Sequence, residues 1–140
     1  MRTRPDHFYV QSAVVPIRRS DQGLEVLLVS SRKRKRWIVP KGVIEPGTEA
    51  GESAAREALE EAGIEGRVVR PALGRYAYDK WGGRCEVEVF VLEVDTVHEA
   101  WLEDFRDRVW LSVEEAAGRV DEEALQAMIR SLAPGVVPNS

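Results

Sequence analysis

Cysteine and histidine are scarce in this sequence, and long apolar runs are missing. The single cysteine, Cys85, excludes an internal disulfide, which is typical of a protein kept in a reducing compartment. The two histidines, His7 and His98, lack the spacing of metal ligands, so a zinc site is not predicted. No apolar run is long enough for a signal peptide or a bilayer span, and we therefore expect a cytoplasmic protein without a membrane partner.

Several nucleotide-binding and catalytic motifs are also absent. The sequence contains no G-x-x-x-x-G-K-[ST] P-loop, no G-x-S-x-G nucleophile elbow and no G-x-G-x-x-G fingerprint. The formal net charge of −4 does not favour general binding to nucleic acid or to a membrane surface. A length of 140 residues with 44% hydrophobic and 31% charged residues indicates one compact domain over residues 1–140, with loose tails at residues 1–7 and 134–140.

A helix that is predicted to end at Gly63 has three carboxylates on one face. Ala and Glu, both strong helix formers, dominate the residues before this glycine, which stands where a C-cap glycine belongs. At about 100° per residue, Glu57, Glu60 and Glu61 share an arc of roughly 100°. The opposite arc is predicted to pack on the core, and it contains Ala55, Ala58, Leu59 and Ala62. The preceding residues 41–47 contain two glycines and one proline, which predicts a loop.

This cluster of carboxylates is unfavourable unless a cation binds to it. Like charges three and four residues apart repel one another, and the negative end of the helix dipole lies nearby. Carboxylate oxygens are hard ligands, which suit Mg²⁺ or Mn²⁺. The cluster therefore predicts a divalent metal site, and the alternative interpretation is an ordinary solvated glutamate face.

The spacing of these residues resembles a known motif. Residues 42–64 match the Nudix box, G-x5-E-x7-R-E-U-x-E-E-x-G-U, at Gly42, Arg56-Glu57, Glu60-Glu61 and Gly63-Ile64. The chain is thus similar to the Nudix hydrolase family, which implies an α/β/α sandwich with a mixed β-sheet and a loop-helix-loop at the box. Two positions depart from the pattern, because Thr48 stands in place of the first Glu and Ala58 in place of a larger aliphatic residue.

The resemblance implies roles for these residues. Metal ligands are expected among Glu57, Glu60, Glu61 and the carbonyl of Gly42, with Mg²⁺ or Mn²⁺ as the ion. Glu60 and Glu61 are also expected to take part in catalysis, and Arg56 is expected to orient the carboxylates. An acid from a later loop often completes the site in this family, and in the loop at residues 96–108 the candidates are Glu103 and, as an alternative, Asp104.

The substitution at Thr48 removes a carboxylate that helps to organise the loop and the arginine in the family. Glu49 is one residue away, and Glu52 is predicted to pair with Arg56 at a spacing of four residues. A binding module that senses nucleotides without turnover is therefore a second functional hypothesis.

Five consecutive cations at residues 32–36 stand out in an acidic chain. One interpretation is an electropositive rim for a polyanionic substrate, with Arg32, Arg34 and Arg36 as contacts, and the other is a solvated loop tip. Lys41 lies directly before the box and is a further expected contact for phosphate. A basic loop that binds nucleic acid is a third hypothesis, and it predicts salt-sensitive binding that does not depend on Glu57.

The strands before the box also point to a substrate class. Residues 26–31 and 36–42 resemble the subgroup that acts on diadenosine polyphosphates and diphosphoinositol polyphosphates. The resemblance implies hydrolysis of a phosphoanhydride bond in such a small-molecule substrate. ADP-ribose or another nucleotide sugar is the alternative, and an RNA 5′ end is a more distant one. The oligomeric state is left open.

The remaining pattern predicts strands and short helices. Residues 8–17 and 24–30 are predicted to form a hairpin through the turn at residues 21–23, and the apolar run at residues 26–29 indicates a strand covered on both faces. Pro16 indicates an edge or a bulge. Ser112 and Glu115 form a predicted capping box, and a last helix is expected over residues 121–132.

Overall fold

The computed structural model describes residues 8–80 and 82–132, and the predicted tails at residues 1–7 and 134–140 lie outside these ranges. Within them the strands are β1 (Phe8–Ser20), β2 (Gly23–Ser30), β3 (Trp37–Ile38), β4 (Lys41–Val43), β5 (Ile64–Lys80), β6 (Gly83–Val97) and β7 (Arg108–Ser112). The helices are α1 (Ala50–Glu57), which continues as a π-helical segment (Ala58–Ala62), α2 (Val113–Arg119) and α3 (Glu123–Arg130).

The strands form one mixed sheet. Its main order is β3-β2-β1-β6-β5, while β4 pairs with β1 and β7 pairs with β2. Strands β1 and β6 run parallel, and the other pairs are antiparallel. The predicted hairpin is confirmed, since Ser20 pairs with Gly23 across the turn between β1 and β2.

Helices cover both faces of this sheet, and the predicted α/β fold with a mixed sheet is therefore confirmed. Leu27 and Val29 belong to a core that is closed by the alanines of α1 and the π-helical segment. Val26 and Leu28 face the opposite way into the core beneath α2 and α3. All four side chains are buried, as expected for an apolar run in a strand covered on both faces.

The helix of the box begins and ends with local signals. The Glu49 carboxylate accepts a hydrogen bond from the Glu52 N–H and caps the first turn. Gly63 ends the helix in the left-handed conformation at φ 68°, as its position predicted. The prediction that Leu59 packs on the core is wrong, because its side chain is 40% exposed. That prediction assumed α-helical spacing, and π-helical winding over Ala58–Ala62 changes the side-chain directions.

Two further predictions are corrected by the sheet. Lys41–Val43, predicted as part of a loop, forms the short strand β4 against β1. Pro16, predicted at an edge or a bulge, lies in the central strand β1 opposite Leu92 of β6, in a register without irregularity. Pro16 has no N–H to donate, and it lies between the stretch of β1 that pairs with β4 and the stretch that pairs with β2, whose ladder ends at Ile17. Among the described residues, no helix is long and apolar enough to cross a membrane.

Candidate active site

Gly42 and Glu57 meet where β4 passes beneath α1. A Cβ placed on Gly42 would lie 2.3 Å from the carboxyl carbon of Glu57 and 2.3 Å from its Oε2. Such a distance is far inside van der Waals contact, so a side chain at this position would displace the carboxylate. The glycine of the box therefore leaves room for the first helical glutamate.

Glu61 is the most buried carboxylate of the cluster, with 8% of its surface exposed. Its Oε1 accepts a hydrogen bond from the Lys41 N–H at 3.1 Å, and the charge of Glu57 lies near enough to repel that of Glu61. Burial raises the pKa of Glu61 to about 8, although nearby Arg106 acts in the opposite direction. Burial and repulsion by Glu60 raise the pKa of Glu57. The raised pKa values of Glu57 and Glu61 thus disfavour full ionisation of this pair in the metal-free protein.

Glu103 joins these helical carboxylates from the loop before β7. Its N–H donates to the Glu60 carbonyl at 3.0 Å, which attaches the loop to the π-helical segment. The Glu103 carboxylate is close enough to raise the pKa of both Glu57 and Glu61. Asp104, the alternative candidate, is exposed. The structure therefore places Glu103 at the cluster.

Arg106 anchors Glu103 and was not identified from the sequence. Its guanidinium donates to Glu103 Oε1 through Nε at 3.0 Å and through Nη2 at 2.8 Å. Its third contact is to the Ser30 carbonyl at the end of β2, at 2.9 Å. Only 6% of the arginine is exposed, and a buried arginine is expected to be paired in this way. The one available signal was the presence of arginines, Arg106 and Arg108, in an otherwise acidic loop.

Arg56, predicted to orient the carboxylates, lies on the helix directly before Glu57. It is exposed and acts on Glu57 by charge alone, and no ion pair of Arg56 is present among residues 8–80 and 82–132. The predicted pair with Glu52 is thus not formed. Glu49, one residue after Thr48, pairs with Arg70 at 2.7 Å while it caps α1. Glu49 consequently does not take the place of the missing family glutamate beside Arg56.

Two side chains behind the cluster hold the π-helical segment in place. The Trp101 indole N–H donates to the Glu61 carbonyl at 3.0 Å. Arg108 donates to the carbonyls of Ala62 and His98, both at 2.9 Å, and its guanidinium carbon lies 3.8 Å from the centre of a Trp101 ring. These contacts satisfy carbonyls at the end of the helix, which would otherwise lack partners. No motif in the sequence indicated them.

Lys41 contributes to two environments. Its N–H binds Glu61, whereas its ammonium donates to the Tyr78 hydroxyl at 3.2 Å and lies 4.6 Å from the centre of that ring. The Tyr78 hydroxyl donates in turn to Gln11 Oε1 at 2.8 Å. Burial lowers the pKa of the Lys41 ammonium, while the charge of Glu122 opposes this shift. A cation in partly desolvated surroundings is suited to an anionic ligand.

The arginines among the five consecutive cations at residues 32–36 have different acidic partners. Arg32 lies 3.9 Å from Glu103 and 5.2 Å from the centre of the Phe105 ring. Arg34 forms two hydrogen bonds of 2.9 Å with the carboxylate of Asp107, and Arg36 lies 3.4 Å from a carboxylate oxygen of Asp121. Of these three contacts, only the one made by Arg32 reaches the carboxylate cluster.

The oxygen ligands of the carboxylate cluster suit a hard divalent cation, although in this structure they do not converge on one position. Among the described residues, no three His, Cys, Asp or Glu side chains lie close enough together to form a complete metal site. The buried carboxyl of Glu61 and the half-buried carboxyl of Glu57 nevertheless have raised pKa values, and Gly42 leaves the space that the Glu57 carboxylate occupies. With Glu60 the donors are all oxygens, which suits Mg²⁺ or Mn²⁺.

Comparison with known proteins agrees with the box and the fold. The family model described as NUDIX domain matches residues 8–132. The chain therefore belongs to the Nudix hydrolase family.

Curated relatives carry names that concern one group of substrates. Diphosphoinositol polyphosphate phosphohydrolase 2 of Rattus norvegicus is 43% identical over 102 residues, which are 70% of this chain and 55% of that protein. Diphosphoinositol polyphosphate phosphohydrolase 3-beta of Bos taurus is 40% identical over 116 residues, which are 80% of this chain and 69% of that protein. The chain thus spans only about half of the length of the first of these relatives.

Solved structures share the fold at low sequence identity. The Ap4A hydrolase of C. elegans has a TM-score of 0.76 and 21% identity, covering 90% of this chain and 96% of its own. A NUDIX hydrolase from Nitrosomonas europaea has a TM-score of 0.68 and 22% identity, and the match covers 87% of this chain and 86% of that chain. At these identities the likeness concerns the fold.

Proposed function

We propose that this protein hydrolyses a phosphoanhydride bond in a divalent-metal-dependent reaction. The observation that carries the proposal is the meeting of Glu57 and Glu61 with Gly42 and Glu103 in a chain of the Nudix family. Buried carboxylates with raised pKa values are common at functional sites. Their arrangement beside a glycine is suited to a cation and a phosphate.

In this proposal Glu57, Glu60 and Glu61, with the carbonyl of Gly42, hold Mg²⁺ or Mn²⁺. The bound metal would neutralise phosphate charge and acidify an attacking water. Glu61 is kept in position by the Lys41 N–H in front and by the Trp101 indole behind its carbonyl. Both the side chain and the backbone carbonyl of Glu61 are therefore held by hydrogen bonds.

Glu103 is our preferred proton acceptor, and Glu60 is the alternative. Both hydrogen bonds from Arg106 go to Oε1 of Glu103, so Oε2 has no protein partner within the part of the chain described by the structure. An oxygen held by this anchor and left open on its other side can accept a proton from water. Glu60 lies on the helix itself, where it also serves as a proposed ligand.

The proposed substrates are diadenosine polyphosphates or diphosphoinositol polyphosphates. The names of the curated relatives and the Ap4A hydrolase fold support this class. Arg32 supplies positive charge beside Glu103, and the partly desolvated ammonium of Lys41, which lies beside Tyr78, is proposed as a further phosphate contact. Arg34 and Arg36 are proposed as outer contacts, for which a substrate would compete with Asp107 and Asp121. ADP-ribose is the alternative substrate.

A hydrolysis screen tests this proposal. Purified protein with Mg²⁺ or Mn²⁺ is incubated with diadenosine polyphosphates, a diphosphoinositol polyphosphate, ADP-ribose, nucleoside triphosphates and 5′-triphosphorylated RNA, and the products are separated by chromatography. The proposal predicts turnover of at least one of the first two classes, at a rate above that of ADP-ribose. Binding of these compounds without turnover would instead support a nucleotide sensor, for which Thr48 gives a reason.

A further inference from the structure

Ser12 lies on the sheet directly beneath the carboxylate cluster. It pairs with Gly42 across β1 and β4, and residues that face each other in antiparallel strands project to the same side of a sheet. Val14, two residues further along β1, packs in the core closed by the helix alanines. Because side chains alternate along a strand, Ser12 projects towards the helix as well.

The hydroxyl of Ser12 is buried without a protein partner. The residue is 0% exposed, and within residues 8–80 and 82–132 its Oγ is the one buried side-chain nitrogen or oxygen that has no hydrogen bond. Buried polar atoms are nearly always hydrogen-bonded, since an unpaired one costs free energy. Neither Glu57 nor Glu61 supplies the missing partner.

Ser12 has polar surroundings on both neighbouring strands, β4 and β6. On one side Gly42 opens the space that holds the Glu57 carboxylate. On the other side Glu88 of β6 is in register with Ser12, and its carboxylate is paired with Arg75 at 3.3 Å. An alanine at position 12 would be the simplest choice if the position served packing alone. A hydroxyl in this setting is suited to accept a hydrogen bond from a water that hydrates a cation.

We propose that the Ser12 hydroxyl is a positioning group for the metal site, hydrogen-bonded to a water of the cation held by Glu57 and Glu61. The inference rests on the proposed function, because it requires that the carboxylates bind a divalent ion. Magnesium keeps several of its waters in protein sites, and each of them needs an acceptor. The Ser12 hydroxyl thus gains a hydrogen-bond partner when the metal binds, and this bond offsets the free energy that its burial without a partner costs.

The test compares Ser12→Ala with the parent in the absence and presence of metal. Urea unfolding is followed in EDTA and in Mg²⁺, and the dissociation constant for Mn²⁺ is measured from the free ion by electron paramagnetic resonance. Without metal the variant is expected to be at least as stable as the parent, because an unpaired hydroxyl has been removed. Its Mn²⁺ dissociation constant is expected to rise about three- to tenfold.

Ser30→Ala is the matched control, because Ser30 is also buried but its Oγ accepts from the Asp107 N–H at 2.8 Å. The control is expected to lower the urea midpoint in EDTA, since it leaves that N–H without its acceptor. The same chemical change therefore has opposite expected effects at the two serines. A fall in the EDTA midpoint of Ser12→Ala, including failure to fold, would overturn the inference.

The remaining outcomes separate this inference from the proposed function. Glu61→Gln is measured alongside, and loss of Mn²⁺ binding in that variant supports the metal site. If Glu61→Gln loses the ion while Ser12→Ala binds it as tightly as the parent, the role of Ser12 is wrong and the proposed function stands. If the parent itself does not bind Mn²⁺, the proposed function fails and the inference fails with it.

Discussion

Replacing Gly42 by alanine is predicted to abolish most of the activity with little change in stability. The new Cβ would lie 2.3 Å from the carboxyl carbon of Glu57, whereas ordinary contact begins near 3.4 Å, so the carboxylate must move by about 1 Å. Glu57 can move because its side chain is flexible and only half-buried. The backbone at Gly42 is not in the left-handed region, so alanine itself causes no strain there.

The magnitude follows from this displacement. A misplacement of about 1 Å in a catalytic group can cost roughly 100-fold in rate, so kcat of Gly42→Ala is expected to fall by about that factor. Overpacking costs about 1–3 kcal/mol in a rigid core, and a flexible carboxylate keeps the cost at or below the lower end of that range.

The assay measures kcat for a diadenosine polyphosphate and the urea midpoint on the same preparations. Gly118→Ala is the control, because Gly118 lies in α2 and a Cβ there would meet no atom within 4 Å. The control is expected to keep its activity and to gain about 0.5–1 kcal/mol in stability. Near-parental kcat in a folded Gly42→Ala variant would refute the claim that the glycine exists to admit Glu57.

Three further predictions concern charge. The raised pKa of Glu61 means that this carboxyl binds its proton more tightly in the metal-free folded protein than in the unfolded chain. The free energy of unfolding in EDTA should therefore fall as pH rises from about 4.5 to about 8. Glu61→Gln should flatten the dependence of the urea midpoint on pH. Arg106→Gln should lower kcat about 10- to 100-fold by releasing Glu103. The control Arg130→Gln breaks a surface pair with Glu114 on the opposite side of the sheet and should leave kcat unchanged. Equal effects of the two changes would contradict the claim that Arg106 positions Glu103. Arg32→Gln should raise KM for diadenosine polyphosphates several-fold more than KM for ADP-ribose, and equal changes in steady-state kinetics would argue for a solvated loop.

Local patterns in the sequence predicted much of the fold and part of the site. The fixed spacing of the box placed Glu57 and Glu61 on one helix, and Gly63 marked its end, because these features depend on neighbours within a few residues. The run at residues 26–29 predicted a strand buried on both faces, since a short, continuous apolar run rich in valine is typical of such strands.

Features that depend on distant contacts could not be predicted. The π-helical winding that exposes Leu59 is held by Trp101 and Arg108, which lie about 40 residues further along the chain. Pro16 is tolerated in a central strand because the pairing partner of β1 changes from β4 to β2 beside it. Both facts depend on contacts between distant parts of the chain, and a propensity scale contains no information about such contacts.

Arg106 shows the same limit at the site. The sequence indicated Glu103 by analogy with other family members, but the residue that anchors it depends on where β2 ends, since the third hydrogen bond of Arg106 goes to the Ser30 carbonyl. Thr48 is the converse case. The absence of a glutamate there was visible in the sequence, whereas the pairing of Glu49 with Arg70 became visible only in three dimensions.

The most direct test of the central claim is the rate of hydrolysis of a diadenosine polyphosphate as a function of Mn²⁺ concentration, measured for the parent and for Glu61→Gln. We expect no turnover in EDTA, a saturable rise of the parent rate with Mn²⁺, and a loss of at least about 100-fold in the variant, because Glu61 is the buried centre of the proposed site. Hydrolysis that persists in EDTA, or a variant with near-parental rates at every Mn²⁺ concentration, would contradict the account.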